Sequence, residues 1–494
     1  MKPVRIFGFG LCVITVIFII SSVFPADGWK IMGTTVHFPS LSQWWQLELP
    51  GYKDIREIIS SVSVVEETDS VLFPADTTAA GRAAGTEKDT LACNDHATGE
   101  GKACLYPFVF PEGKDTLMYS FFRYARAGGD RRQPVRILHY GDSQIESDRI
   151  TSTIRDYMQK KFGGMGRGYI PAVPASDISR SFQQDVPAQW VRFSVQDRKK
   201  DSITHGYYGI AGAFARYMAT DAADTVTHIG LMPVGFGYRL SRSFTHVGFF
   251  YGNSRCPVSV SINRSDTKSL RPVPLLSSVC WEFDCPQQSL HLSLSSRSLP
   301  DVYGITLDGA SGVAVDNIPL RGSAGMEFTK IDRDMLGQMF AMMNVKALIL
   351  QFGANAVAKY NGNGDYYAKL MERQIRTLQS LSPDLLIIVV GAGDMSQHSP
   401  DGYVTHSGVA DIREAQRKTA LQCGCVFWDL FEAMGGENSM PSWVLADPPL
   451  ANKDFVHFTL TGAKIVGELF CRAWAAEYRK FLRKEQIPLA GGNK

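Results

Sequence analysis

The chain shows little net charge: 51 Lys and Arg stand against 49 Asp and Glu, a formal +2. A nucleic-acid binder generally carries a basic excess or a basic stripe. Basic residues gather only near the C-terminus, at Arg472, Arg479, Lys480, Arg483 and Lys484, a pattern that reads as a solvated helix face. No cysteine or histidine spacing resembles a zinc site. No extended apolar lid segment suggests a lipase. Cys12 lacks the small residues that precede a lipidated cysteine, and Pro25-Ala26-Asp27 offers no good small-x-small cleavage site. Disorder of the whole chain is excluded by its 45% hydrophobic and 11% aromatic content. At roughly 150 residues per domain, 494 residues allow two or three domains.

What is present begins at the N-terminus. Lys2 and Arg5 precede an uncharged apolar run from Ile6 to Phe24. That run exceeds the roughly 7–15 residues of a signal-peptide core and approaches the roughly 20 of a membrane span. The expectation is a signal anchor over 6–24 in the inner membrane, N-terminus inside, with the remaining chain on the extracytoplasmic, periplasmic side. A cleaved signal peptide and a secreted product form the alternative. Nine cysteines fit an exported chain. Cys93 and Cys104 bracket a polar loop they are able to close. Cys256, Cys280 and Cys285 fall close enough in sequence for one expected pair, whereas Cys423 and Cys425 are too near each other to bridge comfortably.

Composition divides the rest of the chain. Residues 25–104 read as a membrane-proximal segment and a flexible linker, small and polar from about 61 onward. Apolar strands are expected at Val135–Tyr140, Val345–Phe352, Leu385–Val390 and Cys425–Leu430. A helix-like run spans Ile145–Phe162. Amphipathic helices carry Tyr367, Met371, Ile375 and Leu378 on one face, and Val466, Leu469, Phe470, Ala473 and Trp474 on another. Alternation of strand and helix predicts an α/β fold with a parallel sheet covered on both faces. Period-two patterns at Val258–Ile262, Leu290–Leu294 and Tyr303–Leu307 predict an inserted β-sandwich or jelly roll over 175–315. It divides an α/β domain spanning 105–174 and 316–485.

Polar residues at strand C-termini mark where such sheets place their sites. Ser143 in Gly141-Asp142-Ser143 follows the first strand directly. His457 in Asp454-Phe455-Val456-His457 precedes the last helix, and its spacing lets Asp454 reach Nδ1 and leave Nε2 toward a serine. Asn355 ends the second expected strand. Gly322, in Arg321-Gly322-Ser323-Ala324-Gly325, is a candidate backbone donor. Asp394 and His398 follow the third strand, where a loop role is the competing reading. His139 reads as a packed residue. Trp190, Tyr207, Tyr208, Phe249 and Tyr251 offer faces for sugar stacking, but a core or domain-interface role is the stronger reading for most of them.

Together, Gly-Asp-Ser, a loop Gly, Gly-x-Asn and Asp-x-x-His occur in the order of the SGNH (GDSL-type) hydrolase superfamily, which this chain resembles. The resemblance implies a flavodoxin-like three-layer parallel sheet and a serine esterase. It assigns Ser143, Asp454 and His457 to the triad and Ser143, Gly322 and Asn355 to the oxyanion hole, with Gly325 a competing match for Gly322. No cofactor or metal is implied. The usual Leu after Gly-Asp-Ser is Gln144 here. A β-rich insert between the first two motifs is similar to the carbohydrate-binding-like module of extracytoplasmic peptidoglycan O-acetylesterases. The expected substrate is therefore an O-acetylated glycan, with peptidoglycan in first place. The alternatives are a glycan O-acetyltransferase with the same triad and a non-catalytic wall-binding protein.

Overall fold

The structure, a computed structural model, describes residues 3–24, 29–31, 34–36 and 52–63, and then 106–486 apart from 129–132, 176–181, 198–202, 204, 219–224, 235–236, 265 and 401. The chain divides into two units, Met1–Asp54 and Ile55–Lys494. In the first, Pro3–Val23 is an α-helix of 21 residues, and Trp29–Ile31 pairs antiparallel with Thr34–Val36. Among the residues described with their side chains, no helix is long and apolar enough to cross a membrane. The second unit contains everything that positions the candidate site.

Its centre is a five-stranded parallel sheet: β1 Val135–Gly141, β2 Val313–Pro319, β3 Val345–Gln351, β4 Leu386–Val390 and β5 Val426–Trp428, in the order β2-β1-β3-β4-β5. Side chains alternate between two apolar layers. Ile137, Ile349 and Ile388 pack with the helices Thr151–Phe162 and Leu460–Lys484. Leu138, Leu348 and Val389 pack with Arg333–Met342, Gly364–Gln379 and Val409–Gln422. Strands buried on both faces explain the continuous apolar runs. Strand order reverses between β1 and β3, so the crevice outside their carboxyl ends is the switch point where doubly wound sheets bind ligands.

Between the helix Thr151–Phe162 and β2 lies the insert, two antiparallel sheets of five and six strands around a shared core that includes Ile229, Leu231, Phe249, Val260, Leu292 and Ile305. It starts earlier and ends earlier than the expected 175–315: Gly168–Ile170 already pairs with Asp301–Asp308, and Val313–Pro319 belongs to the parallel sheet. Polar Asp316 and Asn317 disguised β2 as part of the insert. Both are buried, Asp316 bonded to Arg136 in β1 (2.8 and 2.9 Å) and Asn317 accepting from Thr151 Oγ1 (2.7 Å). Arg136 also holds Asp308 of the insert (2.6 Å), and Tyr140 Oη donates to Ile210 O (2.8 Å). The insert is thereby joined to the sheet through buried polar contacts.

One further reading holds and two expectations change. Four of the five candidate stacking aromatics, Trp190, Tyr208, Phe249 and Tyr251, are core residues; Tyr207 is half-buried and stacks on His205. The expected cysteine pair does not form, because Cys256, Cys280 and Cys285 are free thiols. Cys280 and Cys285 share the strand Ser277–Gln287 and so lie roughly 16 Å apart along it. Finally, the linker gives way to structure before residue 64: in the helix Arg56–Ser63, Ile58 and Val62 are buried against the core of this unit, as is the preceding Ile55. Cys93, Cys104 and the polar spacer lie outside the described residues.

Candidate active site

Ser143 stands two residues beyond β1. Gly141 ends that strand because a Cβ there would meet Gln351 O of β3 at 2.8 Å. Asp142 turns the chain: its buried carboxylate accepts from Gln144 N (2.9 Å) and Gly353 N (3.2 Å) and hydrogen-bonds the Asn355 side chain. One carboxylate thus fixes the loops after β1 and β3 together. Burial raises its pKa, opposed by those bonds. The helix expected over Ile145–Phe162 is broken. Ser143–Asp148 is a 3-10 segment ending in two left-handed residues, Ser147 (φ 59°) and Asp148 (φ 64°), before Thr151–Phe162 begins. Asp148 stays buried there because Arg155 grips both its oxygens (2.7 and 2.9 Å).

His457 approaches from the loop before the last helix, which Thr459 caps by accepting from Gly462 N (3.2 Å). Asp454 organises the loop. Oδ1 accepts the Val456 and His457 N–H groups, each at 3.0 Å, and Oδ2 lies 2.8 Å from His457 Nδ1. Burial alone would raise this carboxyl; the bonds from His457 and Val456 outweigh it and hold the pKa below the usual carboxylate value. Nε2 of His457 lies 2.8 Å from Ser143 Oγ. With Nδ1–H committed to Asp454, Nε2 is the acceptor for the serine proton. The imidazole side chain is 32% exposed, so the site is open to solvent.

Asn355 is the second residue of the helix Ala354–Tyr360 after β3. Asp142 engages its side chain, which leaves donor capacity on the amide. Gly322 lies in the loop after β2, exposed and left-handed (φ 75°), with nothing within 4 Å of its Cβ position. Gly325, its competitor, is buried against Phe352 and spends its N–H on Ser323 Oγ (2.8 Å). Of the two glycines, Gly322 keeps the accessible backbone.

Asp394 and His398 lie apart from this chemistry. Buried Asp394 accepts from Thr405 Oγ1 (2.8 Å) and Met440 N (2.7 Å), anchoring the hairpin Ser396–Ser399 and Gly402–Thr405. That hairpin braces the histidine loop: Tyr403 stacks on Phe455 at 3.6 Å, and Ser396 N donates to Phe455 O (3.0 Å). His398 is exposed, edge-on to Tyr403. His139 is fully buried, as expected of a packed residue. Sequence reasoning missed Asp142 and Arg149 as organisers. Neither carries a clear local signal, since the partners through which they join separate loops, Gly353 and Asn355 for Asp142 and Phe458 for Arg149, come from distant segments. Among the described residues, no three or more His, Cys, Asp or Glu side chains gather closely enough to hold a metal ion.

No protein-family model matches the chain, and no curated protein matches it. The solved structure "Peptidoglycan O-acetylesterase in action, 5 min" superposes with a TM-score of 0.59 at 19% identity, covering 75% of this chain and 99% of its own. A family two carbohydrate esterase from Cellvibrio japonicus aligns at 9% identity over 61% of this chain and 98% of its own, but with a TM-score of 0.24 that carries no argument. The likeness to the first is one of fold, and it coincides with the segment order noted in the sequence. This chain shares the fold of that solved structure.

Proposed function

We propose that the chain is a carboxylic ester hydrolase that removes O-acetyl groups from a glycan, peptidoglycan before others, through a Ser143–His457–Asp454 triad. The observation that carries the reading is the unbroken path Ser143 Oγ–His457 Nε2, His457 Nδ1–Asp454 Oδ2, with both contacts at 2.8 Å, at the carboxyl edge of the sheet. Ser143 Oγ attacks the acetyl carbonyl as its proton passes to Nε2. Asp454 fixes the tautomer and stabilises the imidazolium. Ser143 N–H, Gly322 N–H and the Asn355 amide receive the oxyanion. His457 then protonates the departing sugar oxygen, and water activated by the same ring releases acetate from Ser143. The peptidoglycan preference draws on the resemblance in fold to an O-acetylesterase of that polymer. An extracytoplasmic location and a signal anchor over 6–24 draw on the uncharged run Ile6–Phe24 behind Lys2 and Arg5.

Burial of Trp190, Tyr208, Phe249 and Tyr251 removes most of the stacking surface a wall-binding role for the insert would use. The test is acetate release by the full chain, purified in mild detergent, from O-acetylated peptidoglycan, acetylated xylan and an aryl acetate. Ser143→Ala serves as control. Release lost in the variant and greatest on peptidoglycan is expected. Release greatest on xylan would overturn the polymer assignment, and no release from any substrate would overturn the hydrolase. Acetyl transfer to added sugar in preference to water would make the chain a transferase.

A further inference from the structure

The residue after the candidate nucleophile reaches across to the candidate base. Gln144 Nε2 donates to Val456 O (2.6 Å), and Phe458 N donates to Gln144 Oε1 (3.3 Å). Val456 and Phe458 are the two neighbours of His457, so one amide brackets the histidine by the peptide groups before and after it. The backbone of Gln144 is itself set by its N–H bond to Asp142 Oδ1 (2.9 Å). Arg149 closes the same gap from the other end of the turn. It donates to Ser143 O, to Glu146 O (3.0 Å) and to Phe458 O (3.1 Å). Side-chain bonds from Gln144 and Arg149 therefore join the Ser143 turn to the His457 loop and hold the bracket in place.

We propose that Gln144 is a positioning residue that sets His457 against Ser143, with Arg149 as its support; the proposal rests on the esterase reading above. The chemistry selects an amide. Its two ends present a donor to a carbonyl and an acceptor to an N–H at once. A leucine at this position packs but offers neither. A methionine has the same reach without the bonds, and an ionised glutamate keeps the acceptor but turns a second oxygen toward Val456 O. The Ser143–His457 contact joins residues 314 positions apart. Its geometry depends on what ties the two loops, and a misplacement of about 1 Å costs up to about 100-fold in rate. Gln144 supplies the tie from beside the nucleophile.

The test compares the full chain with Gln144→Met and Gln144→Glu. Three quantities are read for each: kcat and KM on an aryl acetate, the rate of Ser143 labelling by a fluorophosphonate, and the melting midpoint. Gln144→Met is expected to lower kcat by roughly tenfold or more while KM stays within about twofold, because alignment rather than binding is lost. Labelling slows in step, and melting shifts by only a few degrees. For Gln144→Glu, the kcat/KM ratio to wild type rises as pH falls, since the protonated carboxyl regains the donor toward Val456 O. Undiminished kcat and labelling in Gln144→Met, with wild type active, overturns the positioning role alone. If Gln144→Met does not fold, Gln144→Glu decides, a flat ratio across pH counting against the proposal. A wild-type chain that neither turns over ester nor labels overturns the esterase reading, and the proposal with it.

Discussion

Ser143 with His457 and Thr151 with His139 make hydroxyl–imidazole contacts of nearly equal length, 2.8 and 2.9 Å. The surroundings differ in every respect that matters for chemistry. At the sheet edge, Asp454 takes Nδ1 of His457 and the ring is 32% exposed. In the interior, His139 is fully buried, Gln351 faces its Nε2 at 3.0 Å, and Thr151 Oγ1 donates its proton to Asn317 Oδ1 (2.7 Å). Thr151 Oγ1 has a single proton, and with Asn317 Oδ1 taking it none is left for His139 to accept. Burial pushes the His139 pKa down to about 4, opposed by the Gln351 bond. Distance alone does not make a nucleophile–base pair. A carboxylate that fixes the tautomer, and access to solvent, make the difference.

The largest break in this comparison comes from removing each hydroxyl. Ser143→Ala is expected to lower kcat/KM on an aryl acetate by about 10⁴-fold or more, with the melting midpoint nearly unchanged. Thr151→Val should show the reverse. It removes the Thr151 hydroxyl from His139 Nδ1 and Asn317 Oδ1 in the interior, at a cost of about 1–3 kcal/mol in denaturant unfolding, while kcat/KM stays within a few-fold. Loss of activity in Thr151→Val equal to that in Ser143→Ala would erase the distinction.

A smaller break gives the edge histidine the neighbours of the interior one. Asp454→Asn replaces the carboxylate by an amide and is expected to cost about 10³–10⁴-fold in kcat, through the wrong tautomer and an unstabilised imidazolium. The sign of its pH dependence is fixed. The Asp454 carboxyl is held below its ordinary value, so its contribution to the loop is complete above the usual carboxylate pKa and disappears only as pH falls through the depressed one. Melting of wild type and Asp454→Asn should therefore converge at the acid end.

How much of this was legible from sequence depends on what each pattern measures. Largely apolar runs exposed β1, β3, β4 and β5, despite Arg136 and His139 in β1 and Lys346 in β3, since strands buried on both faces have no regular polar side. β2 was hidden because Asp316 and Asn317 are satisfied by Arg136 and Thr151, side chains that only folding brings near. Ser143, Asn355, Asp454 and His457 were legible because each lies at the end of a recognisable element or in a short spacing. The role of Gln144 was not, because both bonds are to backbone groups more than 300 residues away. Period two located the sandwich strands but did not separate a core aromatic from a sugar platform: on the strand of buried Trp190, the next residue, Val191, is exposed. The left-handed pair Ser147 and Asp148 interrupts a run that remains helical in composition.

Within the edge site, the oxyanion donors should rank by what is removed. Asn355→Ala deletes a donor and a partner of Asp142, and is expected to cost about 10²–10³-fold in kcat with KM little changed. Gly322→Ala keeps the N–H and adds a Cβ into open space, so the cost is the strain of a left-handed alanine, about 1 kcal/mol, and activity within about tenfold. Equal losses in the two variants would remove Asn355 from the oxyanion hole.

The smallest effect on activity sharpens the interior member of the comparison. His139 is neutral in the fold down to about pH 4, whereas in the unfolded chain it takes a proton near pH 6.5. Between those values the unfolded state binds more protons, so stability falls as pH falls, by about 3 kcal/mol across the window and little above pH 7. His139→Gln removes the titrating ring but keeps a polar side chain. Its denaturation midpoint should lie below that of wild type at pH 7.5, and the gap should narrow steadily from pH 6.5 to 4.5. Buried Asp142, Asp316 and Asp394, whose pKa values burial raises, titrate in both proteins and cancel in the difference. The pH profile of ester hydrolysis should be the same in both, since the base at the edge is untouched. A gap that is constant with pH would mean that His139 carries its proton in the fold. The two histidines would then differ by the Asp454 carboxylate and by access alone.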